Sequence, residues 1–153
     1  MPDGPYLFDV GVTTLAHAGT PVSDVALSWV RRAIEGEIDA VVPTASLVGA
    51  HHVLTSVNGF TNEDASTLLS RLLDAQRIHW HESTSVSSVR AGFDRASAAT
   101  VEGWNALYAQ IAAEEGVETV LTLDDDFERF EEFDVEVILS REEFRTVEEY
   151  LGY

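Results

Sequence analysis

The chain has 153 residues, 45% of them hydrophobic and 9% aromatic, enough for one globular domain around one core and too apolar for a disordered segment. It has no cysteine, and its nine basic residues other than histidine are all arginine, so disulfide frameworks, thiolate metal sites, cysteine nucleophiles and lysine chemistry are excluded. Asp and Glu number 27, which leaves a net charge of −18.

Such acidity destabilises a compact domain through self-repulsion. Molar salt shortens the Debye length to about 3 Å and largely removes that cost. The expectation is a halophilic protein of a salt-rich cytoplasm. No apolar run approaches the roughly 20 residues of a membrane span. Residues 1–6 lack the basic-then-apolar pattern of a secretion signal. A soluble, cytoplasmic protein with no membrane partner is expected.

Taken in order, residues 6–8 read as a first strand that ends on Asp9. Residues 10–19 lead into a short helix, broken at Gly19-Thr20-Pro21. Ser23 or Asp24 caps a helix over 23–35, with Val25, Trp29 and Ala33 at helical spacing and Gly36 as its stop. Residues 40–42 are a second short strand, stopped by Pro43. Thr44 caps a helix to about 57 that is apolar nearly all round, and so is expected to be central. Asn58-Gly59 breaks the chain. Thr61 or Asn62 caps a helix to about 75 with Leu68, Leu69, Leu72 and Leu73 inward, and 78–81 is a third strand.

A weakly apolar helix is expected over 83–99, and a clear one over 103–115 with Trp104, Leu107, Tyr108 and Ile111 as its inner stripe and Gly116 as its end. Residues 119–123 form a buried strand that runs into three consecutive aspartates, Asp124, Asp125 and Asp126. A helical turn at 126–130 and a last strand at 135–139 precede a helix opened by the capping box Ser140 to Glu143. No repeat, linker or low-complexity stretch interrupts this order, so 1–153 reads as one domain. Strands alternating with helices argue an α/β fold with a mainly parallel sheet and helices on both faces.

Three adjacent carboxylates repel one another, which makes the end of the fourth strand a poor place for stability and a good one for a divalent cation. In open α/β sheets ligands collect beyond the carboxyl ends of the strands. Two strands end in aspartate, at Asp9 and Asp124. If those strands are neighbours, the carboxylates meet, with Asp126 two residues further on and Asn105 near the start of the preceding helix. An all-oxygen cluster suits Mg²⁺ or Mn²⁺. Such ions activate water and stabilise the charge that develops in phosphodiester cleavage.

Each of these residues has a plainer reading. Asp124 to Asp126 can be a solvated capping loop, and Asn105 a satisfied helix-start amide. Glu102 can supply a carboxylate or lie on the surface. His51 and His52 are core or boundary imidazoles, or ligands of a softer metal. Arg71, Arg77 and Arg95 are candidates for attracting phosphates.

Leu7-Phe8-Asp9, then Asn105-Ala106-Leu107 with Ala112, then Leu121-Thr122-Leu123-Asp124-Asp125-Asp126-Phe127 together resemble the PIN-domain family, metal-dependent ribonucleases that include the VapC-type toxins. The resemblance covers nearly the whole chain. It implies a three-layer α/β/α fold on a five-stranded parallel sheet. It implies an acidic pocket for Mg²⁺ or Mn²⁺ built from Asp9, Asn105, Asp124 and Asp126, as both the metal-holding and the catalytic set. It further implies RNA as substrate, an antitoxin protein as partner and a possible homodimer. The chain departs from the family pattern at three places. Gly11 stands where Ser or Asn is usual, Gly49 is the nearest match to an expected Glu, and Asn105 replaces an Asp. These departures keep open a PIN-like module that binds RNA or protein without cleaving. An aspartate-nucleophile phosphatase, faintly suggested by residues 8–13, lacks both its second Asp and the lysine such enzymes use.

Overall fold

The computed structural model describes residues 3–82, 84–123 and 126–151, and only the backbone at 126, 150 and 151. The elements run β1 (Asp3–Phe8), α1 (Val10–Ala18), α2 (Ser23–Glu35), β2 (Ile38–Pro43), α3 (Thr44–Ser56), α4 (Asn62–Leu73) and β3 (His79–His81). They continue with α5 (Val86–Ala99), α6 (Gly103–Glu115), β4 (Thr119–Thr122), the 3₁₀ turn η1 (Asp126–Arg129), β5 (Asp134–Val137) and α7 (Arg141–Leu151). The strands form one five-stranded sheet in the order β3-β2-β1-β4-β5. Every neighbouring pair is parallel.

The layers follow from the period of two along each strand. In β1, Leu7 joins the core on one face and Phe8 the core on the other. In β2, Ala40 and Val42 share Phe8's side while Val41 shares Leu7's. In β4, Val120 and Leu121 divide in the same way. Phe8's face is covered by α1, α2, α3 and α4 together with Phe144 and Val147 of α7. Leu7's face is covered by α6, through Tyr108, Ala109, Ile111 and Ala112, and by Phe127, Phe130 and Phe133 beyond β4. The α/β/α arrangement read from the sequence is the one observed.

Several local expectations change. The first strand starts at Asp3, because Asp3 already pairs with Ile38. Ser23 begins α2 without capping it, since its hydroxyl accepts from the Thr20 N–H at 2.9 Å. Thr44 donates to the His81 carbonyl and so ties α3 to β3. The third helix is one-sided: Leu47, Ala50 and Leu54 are buried while Val48 is 74% exposed. In α4 the inward set is Ala65, Leu69 and Leu72, and Leu73 faces outward. Trp104 is 52% exposed and stacks along its own helix on Tyr108, with ring centroids 6.1 Å apart. The capping box at the start of α7 is reciprocal, with Ser140 Oγ accepting from Glu143 N and Glu143 Oε1 accepting from Ser140 N.

This strand order places a topological switch between β1 and β4. From β1 the chain moves to β2 on one side, and β4 lies on the other. The helices that follow β1 cover one face, and α6, which precedes β4, covers the other. A crevice at the carboxyl ends of β1 and β4 is the geometric result.

Candidate functional site

Asp9 stands at that crevice. It is the first residue after β1 and the N-cap of α1, with extended backbone (φ −77°, ψ 171°). The tight link from strand to helix leaves its side chain only 8% exposed. Oδ1 accepts from the Val12 N–H at 3.1 Å, which satisfies one of the orphan donors of the helix start. Oδ2 accepts from the Thr122 hydroxyl at 2.7 Å. Thr122 is the last residue of β4 and is 1% exposed. The β1–β4 register, with Phe8 opposite Leu121, brings the two residues level.

The carboxylate is therefore held from two elements at once. In both of these bonds the carboxylate accepts. The positive end of the α1 dipole adds to this setting.

Asp124, the second predicted ligand, lies outside the described residues. Asp126 opens η1, and its side chain also lies outside the description. Asn105 is half-buried in the first turn of α6. That end of α6 sits over η1: the Tyr108 ring, one turn beyond Asn105, lies 6.5 Å from the ring of Phe127, the neighbour of Asp126. Glu102 is the N-cap of α6, and its Oε1 accepts from the Asn105 N–H at 3.1 Å. Its carboxylate has a structural task at the surface.

The departures from the family pattern also have places. Gly11 is buried in the first turn of α1. Gly49 faces α1, and a Cβ added there would lie 3.2 Å from Val10 Cγ2, beside Asp9 in sequence. His51 pairs with Ser66 of α4 at 3.0 Å, and His52 with Ser56 one turn along its own helix at 3.4 Å. Among the described residues, no group of three His, Asp or Glu side chains is arranged to hold a metal ion. The donors at the Asp9 corner are nonetheless all oxygen, carboxylate and hydroxyl, the chemistry that hard divalent cations take. The residues present fit Mg²⁺ or Mn²⁺ in kind.

Two features were missed in the sequence. One is Thr122, the hydroxyl that fixes Asp9. The other is a histidine clamp on the edge strand. His79 Nε2 and His81 Nδ1 meet the two oxygens of Glu115, at 2.9 and 2.7 Å. The bond from His81 is the main cause holding the Glu115 carboxyl below its ordinary value, with burial opposing and His79 assisting. His81 Nε2 is buried with no hydrogen-bond partner among the described residues. The signal was present: residues two apart on a strand share a face. Of the arginines expected to draw phosphates, Arg77 donates to the Glu35 carbonyl, and Arg95 is engaged by Glu132 and Gln110. Arg71 is exposed on α4.

No family model matches the sequence, and no curated protein matches it. Solved structures do resemble it in fold. VapC20 of Mycobacterium tuberculosis, described as a toxin that cleaves the sarcin–ricin loop, aligns with a TM-score of 0.63 at 12% identity, covering 80% of this chain and 92% of that one. VapBC2 of Rickettsia felis, bound to a DNA fragment from its promoter, aligns at 0.61 with 14% identity over 86% and 96%. FitAcB of Neisseria gonorrhoeae aligns at 0.55 with 15% identity over 85% and 95%. At these identities the shared property is the fold.

Proposed function

We propose that the chain is a divalent-metal-dependent endoribonuclease of PIN type, the toxin of a toxin–antitoxin pair. The observation that carries this reading is the Asp9 carboxylate, buried at the switch between β1 and β4 and held by Val12 N–H and Thr122 O–H. A buried carboxylate at that edge of an α/β sheet is placed for ligand chemistry. The fold it shares with VapC20, a toxin that cleaves the sarcin–ricin loop, supports the reaction class.

In this reading Asp9 is the fixed ligand, and Thr122 with the α1 N-terminus sets the direction of its oxygens. Asp124, two residues after Thr122, and Asp126 add the remaining negative charge, and the Asn105 amide offers a neutral oxygen. Mg²⁺ or Mn²⁺, when bound, supplies water activation and charge stabilisation at the phosphate. Leu121 and Leu123, both buried, keep the floor beneath Asp9 dry, which strengthens every charge interaction above it. The antitoxin partner is proposed on the same footing, because relatives in fold were solved as VapBC2 and FitAcB.

The test is cleavage of single-stranded RNA in molar KCl with Mn²⁺. Wild type cleaves, EDTA stops it, and Asp9→Asn lowers the rate at least about 100-fold, on the scale of losing one pre-organised charged group. Absence of cleavage by wild type, or cleavage indifferent to Asp9→Asn, overturns the reading.

One observation favours a second reading. Gly49 lies against Val10 where the family pattern carries a glutamate, so the site is short of one carboxylate. A PIN-like module that binds RNA without cutting it follows from that loss. A calorimetric titration decides: no heat at millimolar Mn²⁺ favours the module.

A further inference from the structure

Beside the Asp9 corner lies a second hollow. A cleft of about 440 Å³ opens between the end of β4, η1, β5 and the start of α7. Leu123 links the two places: it follows Thr122 in the chain and also lines this cleft. Val137, Leu139 and Phe144 supply the rest of its apolar lining.

Two arginines, Arg141 and Arg145, line the same cleft. They stand one helical turn apart, about 6 Å along the axis of α7, of the order of one backbone nucleotide step. Both are exposed, and among the described residues neither makes an ion pair or hydrogen bond. Arg31, Arg71 and Arg90 are likewise without an ion pair or hydrogen bond among the described residues, and Arg141 and Arg145 differ from them in lining one cleft together. Glu142, Glu143, Glu148 and Glu149 share their helix, and Glu128 and Glu148 line the cleft with them. Arg32, Arg95 and Arg129 do take partners, respectively Glu37, Glu132 and the Thr100 carbonyl. With two arginines against two glutamates the cleft is neutral, in a chain of net charge −18. It offers a polyanion an approach without the repulsion of the surrounding surface.

We propose that this cleft is a strand-binding subsite for RNA, in which Arg141 and Arg145 take consecutive backbone phosphates next to the bond to be cut. The identity of the strand rests on the ribonuclease reading above. A guanidinium fork matches phosphate oxygens two at a time. The apolar lining of Leu123, Val137, Leu139 and the partly buried Phe144 suits ribose and base faces. The subsite therefore gives affinity and register, with little choice of sequence.

The experiment measures binding of a fluorescent single-stranded RNA to the full chain by anisotropy, in EDTA so that nothing is cut, across KCl concentrations at which circular dichroism shows a folded protein. For single strands each phosphate contact contributes about 0.7 to the slope of log K against log[salt]. The double variant Arg141→Ala/Arg145→Ala is expected to lose about 1.4 of that slope. The matching lysine variant keeps the slope, and Arg31→Ala/Arg90→Ala, which lie off the cleft, leave it unchanged. No RNA binding by wild type, or an unchanged slope in the alanine variant, overturns the subsite. Displacement of the RNA by polyglutamate as readily as by inorganic polyphosphate, at equal charge, also overturns it and points to an acidic protein segment. The two readings fail separately. Arginine-dependent binding without cleavage in Mn²⁺ overturns the ribonuclease alone, and cleavage with an arginine-independent slope overturns the subsite alone.

Discussion

The Thr122 hydroxyl donates to Asp9 Oδ2 at 2.7 Å, joining the ends of β4 and β1 across 113 positions of sequence. Both groups are buried, so the bond has consequences for stability as well as for the site. Thr122→Val keeps the shape and deletes the donor. It leaves a buried carboxylate oxygen short of a partner, at a cost of about 1–3 kcal/mol. Urea denaturation measures that loss. On the ribonuclease reading, RNA cleavage falls about 10-fold as the carboxylate loses its orientation. Full stability in the variant would mean that the bond does nothing for the fold.

Asp9 itself separates the two roles. Asparagine caps helices about as well as aspartate, so Asp9→Asn is expected to melt within a few degrees of wild type while losing metal affinity and cleavage. Asp9→Ala loses the cap as well, for a further cost of about 0.5–2 kcal/mol. Thermal melts of the pair, run beside calorimetric Mn²⁺ titrations, check both statements. Equal Mn²⁺ affinity in wild type and Asp9→Asn would remove Asp9 from the site.

Gly49 is the position at which the site can be rebuilt. Its missing Cβ would meet only Val10 Cγ2, at 3.2 Å, the end of a side chain that has to yield a few tenths of an ångström. Gly49→Glu is expected to fold and to bind Mn²⁺ about 10-fold more tightly, a gain of about 1.4 kcal/mol. Calorimetry showing no gain would mean that this face of α3 does not look into the metal corner.

Acid acts on the opposite edge of the sheet. The Glu115 carboxyl sits below its ordinary value of 4.5, first because of the bond from His81. A depressed folded value means that the clamp contributes in full above about pH 4.5, and that its contribution is lost as the pH falls through the lower folded value. Urea midpoints measured from pH 7 down to pH 3 are expected to fall less steeply in Glu115→Gln than in wild type below that point. Parallel curves would mean that the two imidazoles add nothing to stability.

The charge of −18 makes a bulk prediction. Melting temperature is expected to rise between 0.1 and 2 M KCl as self-repulsion is screened. A melting temperature flat across that range would count against a salt-rich setting.

The five strands and their order of appearance were legible because short apolar runs sit between strong helix signals: the cap at Thr61, the stops at Gly36 and Gly116, and the Ser140–Glu143 box. Asp9 stood out because an apolar strand ended on a charge. Its partner was not legible, because nothing local relates Thr122 to a residue 113 positions away, and only the β1–β4 register does so. Trp104 was misread because apolar spacing alone assigns it to the inner stripe. In the first turn of α6 it stacks on Tyr108 and stays half in solvent. The histidine pair was legible as two rings on one face of a strand. Glu115, at the far end of another helix, was not.

The margin of the sheet formed by β3 is only three residues long, His79–His81, and α6 grips it through Glu115. An incoming strand from another molecule would find too few open amides there to build a ladder. Molar salt, which quiets repulsion between like-charged molecules, removes the usual protection against open-ended stacking into fibres. The short, tethered margin is a safeguard of geometry, which does not depend on charge at any salt concentration.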